Sequence, residues 1–171
     1  AIKNNPRIKV EAMAYTDDKK VAEAEKFGAR FFQRVGEMLA AVRPDIVVIA
    51  TPDETHAQIL LEVIKEKPKL VVLEKPAVVN DSEAARLRNL DSGIPIIINF
   101  RRQFDPSVLR LAQEFRQEKY GRIISASGIY CRGILHNGSH MLDLCLQLFG
   151  KILSATPLSS VNDFPSGLPT I

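Results

Sequence analysis

No apolar run in this 171-residue chain approaches the roughly 20 residues needed to cross a bilayer, which argues against a membrane partner. No basic, apolar and small-residue succession of the signal-peptide kind opens it. Neither sign of charge dominates: 23 Lys and Arg against 20 Asp and Glu leave a net charge of +3. The two signs are interspersed, so there is no basic stripe of the kind nucleic acid selects. Cysteine is scarce: Cys131 and Cys145 form neither a CxxC pair nor a disulfide framework. A reduced, cytoplasmic setting is the expectation. Internal repeats and low-complexity segments are also missing. What is present is an ordinary globular mix, 46% hydrophobic and 25% charged. It suffices for one sizeable core, or for one domain plus part of another. The opening "AIKNNPRIKV" lacks a Met and the closing "DFPSGLPTI" reads like the middle of a domain, so the chain is expected to be a piece of a longer protein.

Apolar and helical segments alternate. "IKVEAMAY" (8–15) has strand character. "DDKKVAEAEKFG" (17–28) is rich in Ala, Lys and Glu and ends on a Gly suited to a helix C-cap. "ARFF" is a short strand and "QRVGEMLAAV" (33–42) a helix. "DIVVIAT" (45–51) is a buried strand, and "HAQILLEVIKE" (56–66) carries apolar residues at helical spacing. "KLVVLEK" (69–75), "DSEAARLRNL" (81–90) and "IPIIINF" (94–100) continue as strand, helix, strand. Apolar strands alternating with amphipathic helices predict an α/β doubly wound parallel sheet covered on both faces.

After Phe100 the texture changes. "DPSVLRLAQEFRQEKYG" (105–121) predicts a helix with Asp105 as N-cap and Pro106 in the first helical position. "RIISASGIYCR" (122–132) suits an antiparallel strand, and "GSHMLDLCLQLFG" (138–150) a helix ended by Gly. A domain boundary follows, with 1–101 as one domain and 102–171 as the beginning of another, α+β, with a predominantly antiparallel open sheet. Two earlier helix starts are also informative. In "TPDE", Thr51 is the expected N-cap, Pro52 the first helical residue and Glu54 the box partner. In "NDSE", Asn80 and Glu83 take the same places.

The stretch "VVLEKP" (71–76) ends a buried strand on a charged pair and a proline. Pro76 has no N–H to give the ladder and biases Lys75 toward an extended backbone. In a doubly wound sheet, ligands bind outside the carboxyl ends of the strands. Lys75 there meets substrate, carboxylate or water, since an ammonium is not buried alone. The alternative is a strand that simply surfaces, with Glu74 and Lys75 solvated at its tip.

The succession "DIVVIATPDETHAQILLEVIKEKPKLVVLEKPAVVNDSEAARL" resembles the N-terminal domain of the Gfo/Idh/MocA family of nicotinamide-dependent oxidoreductases. The marks are Thr51 and Pro52 at a strand end, His56 four residues beyond the Pro, and Glu74, Lys75 and Pro76 closing the next strand. "INFRRQFDP" (98–106), "KYGRI" (119–123) and "GILHNGSHMLDL" (133–144) extend the resemblance, from about residue 8 to 150. It implies a two-domain enzyme: a Rossmann domain for NAD or NADP, then an α/β domain that supplies substrate groups and an oligomer interface. Lys75 would hydrogen-bond the substrate oxygen and stabilise charge as hydride moves. Ala50, Thr51, Pro52, His56, Glu74, Lys75, Pro76, Asn99 and Arg102 are the implied cofactor-side residues. The substrate would be carbohydrate-like, a sugar, cyclitol or sugar nucleotide. The protein would be a homo-oligomer, dimer or tetramer, through the C-terminal sheet.

His136 and His140 are four apart, with Asp143 three further on, so on a helix they share a face. Three readings stand. The His-x3-His spacing is that of zinc proteases, but Asn137 occupies the place of their glutamate, and Asn-Gly places the helix start after His136. The second reading is a helix start with incidental histidines. The third follows from the resemblance: His140 matches the family's histidine and is the candidate general acid/base. His136 stands where the family usually has an aspartate, and Asn137 is a substitute polar contact. Asp143 is expected to be solvated or helix-capping. His56 reads equally as a structural histidine or a ligand contact. Arg101 and Arg102 read as solvated hinge charges or as partners of a phosphate or carboxylate.

The dinucleotide fingerprint G-x-G-x-x-G is absent from the nine glycines. The resemblance starts near the family's second strand, so a first βα unit of about thirty residues is expected outside this chain. One sheet edge would then lie uncovered. In "AYTDDKK", Thr16 at the ribose position admits NADP, whereas Asp17 there prefers NAD. The expected function is hydride transfer between a nicotinamide cofactor and a hydroxyl-bearing carbon. The alternatives are a non-catalytic dinucleotide-binding regulator or sensor and a truncated, inactive product.

Overall fold

Short apolar strands that end on turn residues, each followed by an amphipathic helix, leave parallel pairing as the only compact way to bury both. The computed structural model describes residues 5–17, 20–162 and 170. Positions 18 and 19 of the expected first helix, and most of the closing "DFPSGLPTI", lie outside the described residues. The chain divides into two compact units, Ala1–Ile97 and Ile98–Ile171.

In the first unit β1 (Ala12–Ala14) and β2 (Arg30–Phe32) pair in parallel, with Ala12 opposite Arg30. Between them runs α1 (Val21–Lys26), and Gly28 at φ 64 makes the left-handed turn that releases the chain from it. α2 (Val35–Val42) leads to a second sheet of order β3–β4–β5, made of Ile46–Ile49, Leu70–Leu73 and Ile96–Ile98. β3 and β4 are parallel, Ile46 opposite Leu70 and Ile49 opposite Leu73. Pro95 joins β5 to β4, its carbonyl accepting from Val71 N–H at 3.0 Å.

α3 (His56–Val63) crosses from β3 to β4, and α4 (Asp81–Arg88) from β4 to β5. The core is Leu39, Val47, Ile49, Leu60, Val63, Val71 and Leu73. Each such side chain contributes about 1.5–3 kcal/mol by leaving water. The sheet is not covered on both faces as expected. Val47 and Ile49 are buried, but Ile46 and Val48, pointing the other way, are 46% and 55% exposed. Among the described residues no helix covers that side of β3.

α4 begins as its sequence requires. Asn80 caps it, the side chain accepting from Glu83 N–H at 2.9 Å, and Glu83 reaches back to accept from Val79 N–H at 2.9 Å.

In the second unit Asp105 caps α5 (Pro106–Arg116), accepting from Ser107 N–H at 2.8 Å, with Pro106 in the first helical position. α5 lies against α6 (Ser139–Phe149), where Phe115 stacks on Phe149 with centroids 6.0 Å apart. Gly150, at φ 85, ends α6. The antiparallel strand expected over 122–132 does not form. Those residues make no ladder, and Ile124 and Ile129 are 94% and 95% exposed. A strand is stable only beside another, and the described residues offer this segment none. The antiparallel pairing present here is a single bridge between Val161 and Thr170.

Candidate active site

The buried strand that ends in charge is β4. Glu74 carries the ladder one residue past it, donating its N–H to Ile49 O at 2.8 Å. Lys75 follows, half-buried, and its ammonium makes no hydrogen bond or ion pair among the described residues. The Lys75–Pro76 peptide is cis, and Pro76 is buried.

Across from this turn, β3 ends at Ile49, with Ala50 and Pro52 exposed and Thr51 between them half-buried. The expected cap by Thr51 does not form. A 3-10 turn, Asp53–Thr55, precedes α3, and no side chain caps either element. The Thr51 hydroxyl instead meets Thr55 Oγ1 at 2.7 Å, and Thr55 also lies 2.7 Å from the Pro52 carbonyl. With Pro52 extended (φ −55, ψ 143), the helix starts later than a capping box at Thr51 would place it.

His56, the first residue of α3, links the two strand ends. It is 1% exposed, with Nδ1 at 2.7 Å from Pro76 O and Nε2 at 2.8 Å from Thr51 O. Both ring nitrogens are thereby engaged by backbone carbonyls, which favours the structural of the two readings of His56.

Thr16 and Asp17 lie exposed just past β1, where Asp17 O accepts from Lys20 N–H at 3.1 Å. The structure thus brings Ala50, Thr51, Pro52, His56, Glu74, Lys75 and Pro76 together at the carboxyl ends of β3 and β4.

The second unit holds the remaining candidates. Asn99 is half-buried just past β5, and Arg101 and Arg102 are exposed on a 3-10 turn, Arg101–Phe104. α6 is entered through a π turn, Ile134–Gly138, so the helical path begins before His136 rather than after it. Gly133 opens the turn at φ 76, its N–H bonded to Thr170 Oγ1 at 3.0 Å. Gly138 closes it where a Cβ would stand 2.8 Å from the Tyr130 ring and from Ile134 Cδ1, so only glycine lets the turn pack this tightly. Ser139 Oγ bonds the carbonyls of Leu135 and His136 at 2.8 and 2.7 Å.

His136 and Asn137 are half-buried on that turn. His140, half-buried one turn on, presents its ring at 89° to Phe100, centroids 5.7 Å apart. Among the described residues no group of three or more His, Cys, Asp or Glu side chains is placed to hold a metal.

Asp143 corrects a sequence expectation. It is 7% exposed, and its Oδ1 accepts a hydrogen bond from Gln103 Nε2. The signal was in the sequence: Asp143 is flanked by Leu142 and Leu144 in an apolar helix and sits three residues after His140. Gln103 and Phe100 were not singled out, because nothing local marks a residue that acts across 40 positions of chain.

The family described as "Oxidoreductase family, NAD-binding Rossmann fold" (Gfo/Idh/MocA) matches residues 1–91. The chain belongs to this family. Among curated relatives, inositol 2-dehydrogenase 2 of Saccharopolyspora erythraea is 27% identical over 79% of this chain and 44% of its own length. Inositol 2-dehydrogenase of Rubrobacter xylanophilus is 35% identical over 59% of this chain and 30% of its own. The chain thus spans less than half the length of these relatives. Among solved structures, the WlbA dehydrogenase of Bordetella pertussis, in complex with NADH and UDP-GlcNAcA, superposes with a TM-score of 0.71. It is 22% identical, over 86% of this chain and 49% of that one. The likeness confirms the Rossmann-type α/β fold.

Proposed function

We propose that this chain is part of an oxidoreductase that moves hydride between NAD and a hydroxyl-bearing carbon of a cyclitol, sugar or sugar nucleotide. The observation that carries this is Lys75: a half-buried ammonium at the carboxyl end of a buried parallel strand, on a turn fastened to the neighbouring strand end. The curated relatives are inositol dehydrogenases, and one structural neighbour holds NADH and a sugar nucleotide.

The residues present fit one end of a dinucleotide. Exposed Ala50 and Pro52, with Thr51, Glu74 and Lys75, would hold its nicotinamide side. Exposed Asp17 past β1 would take the ribose hydroxyls, favouring NAD over NADP. The glycine fingerprint for the pyrophosphate is not among the 171 residues. When bound, the nicotinamide supplies the hydride acceptor.

The rest is the work of the protein. The Lys75 ammonium donates to the substrate oxygen and stabilises the charge that develops there. His140 accepts the hydroxyl proton, with His136 and Asn137 beside it on the entry turn to α6. Residues 1–101 are the dinucleotide-binding domain and 102–171 begin the substrate domain. The latter is also the proposed homo-oligomer contact, supported by Ile124, Ile129, Leu153 and Leu158, each at least 90% exposed. The two free cysteines agree with a reducing, cytoplasmic setting.

The test is turnover of the full-length protein with NAD over a panel of cyclitols, sugars and sugar nucleotides, beside Lys75→Ala. Turnover that depends on Lys75 supports the assignment. Turnover indifferent to Lys75 removes it.

A further inference from the structure

His56 has an acceptor on both sides. Pro76 O lies 2.7 Å from Nδ1 and Thr51 O lies 2.8 Å from Nε2, in a site that leaves the ring 1% exposed. A carbonyl oxygen only accepts. The ring therefore spans two acceptors, one on each turn, and removing it would deprive both carbonyls of this partner, at about 1–3 kcal/mol for a buried acceptor left unmet.

The charged groups on the elements around the ring are few. Asp53 and Glu54 lie on the 3-10 turn before it, and Glu62 is on its own helix. Glu74 and Lys75 adjoin Pro76, and Glu83 is on α4, bonded to Val79 N–H. Among the described residues none of them forms an ion pair with His56, so the two carbonyls are its partners.

These carbonyls belong to the turns that follow β3 and β4, and one is the next residue after Lys75. From this geometry we infer that His56 is a positioning residue: its ring, held at both nitrogens, clamps the Thr51 turn to the Lys75–Pro76 turn and so fixes where the Lys75 ammonium stands. The inference rests on the proposed catalytic role of Lys75, but the clamp itself does not.

The test uses the full-length protein with 15N-labelled histidine, the His56 signals identified by their loss in His56→Gln. The His56 ring N–H is expected to be strongly protected from exchange with solvent, as a buried hydrogen-bonded donor. A ring N–H that exchanges as fast as that of a free histidine overturns the clamp, whatever the enzyme does. In His56→Gln, kcat is expected to fall about 100-fold, the cost of roughly an ångström of misplacement, while KM for NAD stays close to the parent's. A kcat equal to the parent's overturns the positioning role. The 15N signal of the Lys75 ammonium, compared between parent and His56→Gln, reads its placement without turnover. An unmoved signal overturns the role too. Should the full-length protein turn over no cyclitol or sugar, the proposed function fails while the two NMR readouts still decide the clamp.

Discussion

Lys75 and His56 divide one task between them. The lysine offers a charge at the end of a strand, and the histidine holds the turn that carries it. If Lys75 donates to the substrate oxygen, Lys75→Ala lowers kcat by at least about 100- to 1,000-fold, the cost of one such donor, with NAD affinity almost unchanged by calorimetry. A comparable loss of NAD affinity would show that Lys75 holds cofactor instead. If His140 takes the proton, His140→Ala flattens the acid limb of the pH dependence of kcat/KM. An acid limb identical to the parent's would remove His140 from the chemistry.

At this scale the sequence was partly legible. Thr51, Glu74, Lys75 and Pro76 were marked by their place at strand ends, where charge and proline interrupt apolar runs. His56 was named but left between two readings, because its partners are backbone carbonyls 5 and 20 positions away. The burial of Asp143 had a local signal in its neighbours Leu142 and Leu144, but its partner Gln103, 40 residues back, had none.

Among the elements, local chemistry decided well wherever it acted within a few residues. Asn80 with Glu83, and Asp105 with Pro106, start their helices as expected. Asn80→Ala should destabilise the fold by about 1 kcal/mol in thermal unfolding, the ordinary cost of a lost cap. Thr51→Ala removes no cap and should cost clearly less. Leu73→Ala, at 0% exposure in β4, should cost about 2–5 kcal/mol. Strands that depend on distant partners were less legible, and residues 122–132 show it.

The turn after α5 carries a pH-dependent cluster. Lys119 Nζ lies 2.5 Å from Glu114 Oε1, and Tyr120 Oη donates to Glu114 Oε2 at 2.8 Å. Hydrogen bonds from Lys119 and then Tyr120 hold the Glu114 carboxyl below the ordinary carboxylate range, and Glu114 raises both partners. The stabilisation from Glu114 is therefore present above that range and lost as pH falls through its lowered value. The stabilisation from Lys119 and Tyr120 is present below their ordinary ranges and lost as pH rises through their raised values. The cluster is exposed, so the effect is small. The melting-temperature difference between parent and Glu114→Gln should be largest at neutral pH and shrink toward both extremes. A difference that does not vary with pH would contradict this.

Across the whole molecule, the alternation of strands and helices announced the α/β class, and the two parallel sheets with their crossover helices follow it. What alternation could not announce is that one side of β3 stays open, since exposure depends on what lies beside a strand and not on the strand's own residues. The central claim concerns the carboxyl ends of β3 and β4 as one side of an NAD site. The most direct measurement is a calorimetric titration of the full-length protein with NADH and, separately, NADPH. The account predicts one-site binding of NADH in the micromolar range, tighter than NADPH. No heat of binding from either cofactor would contradict it.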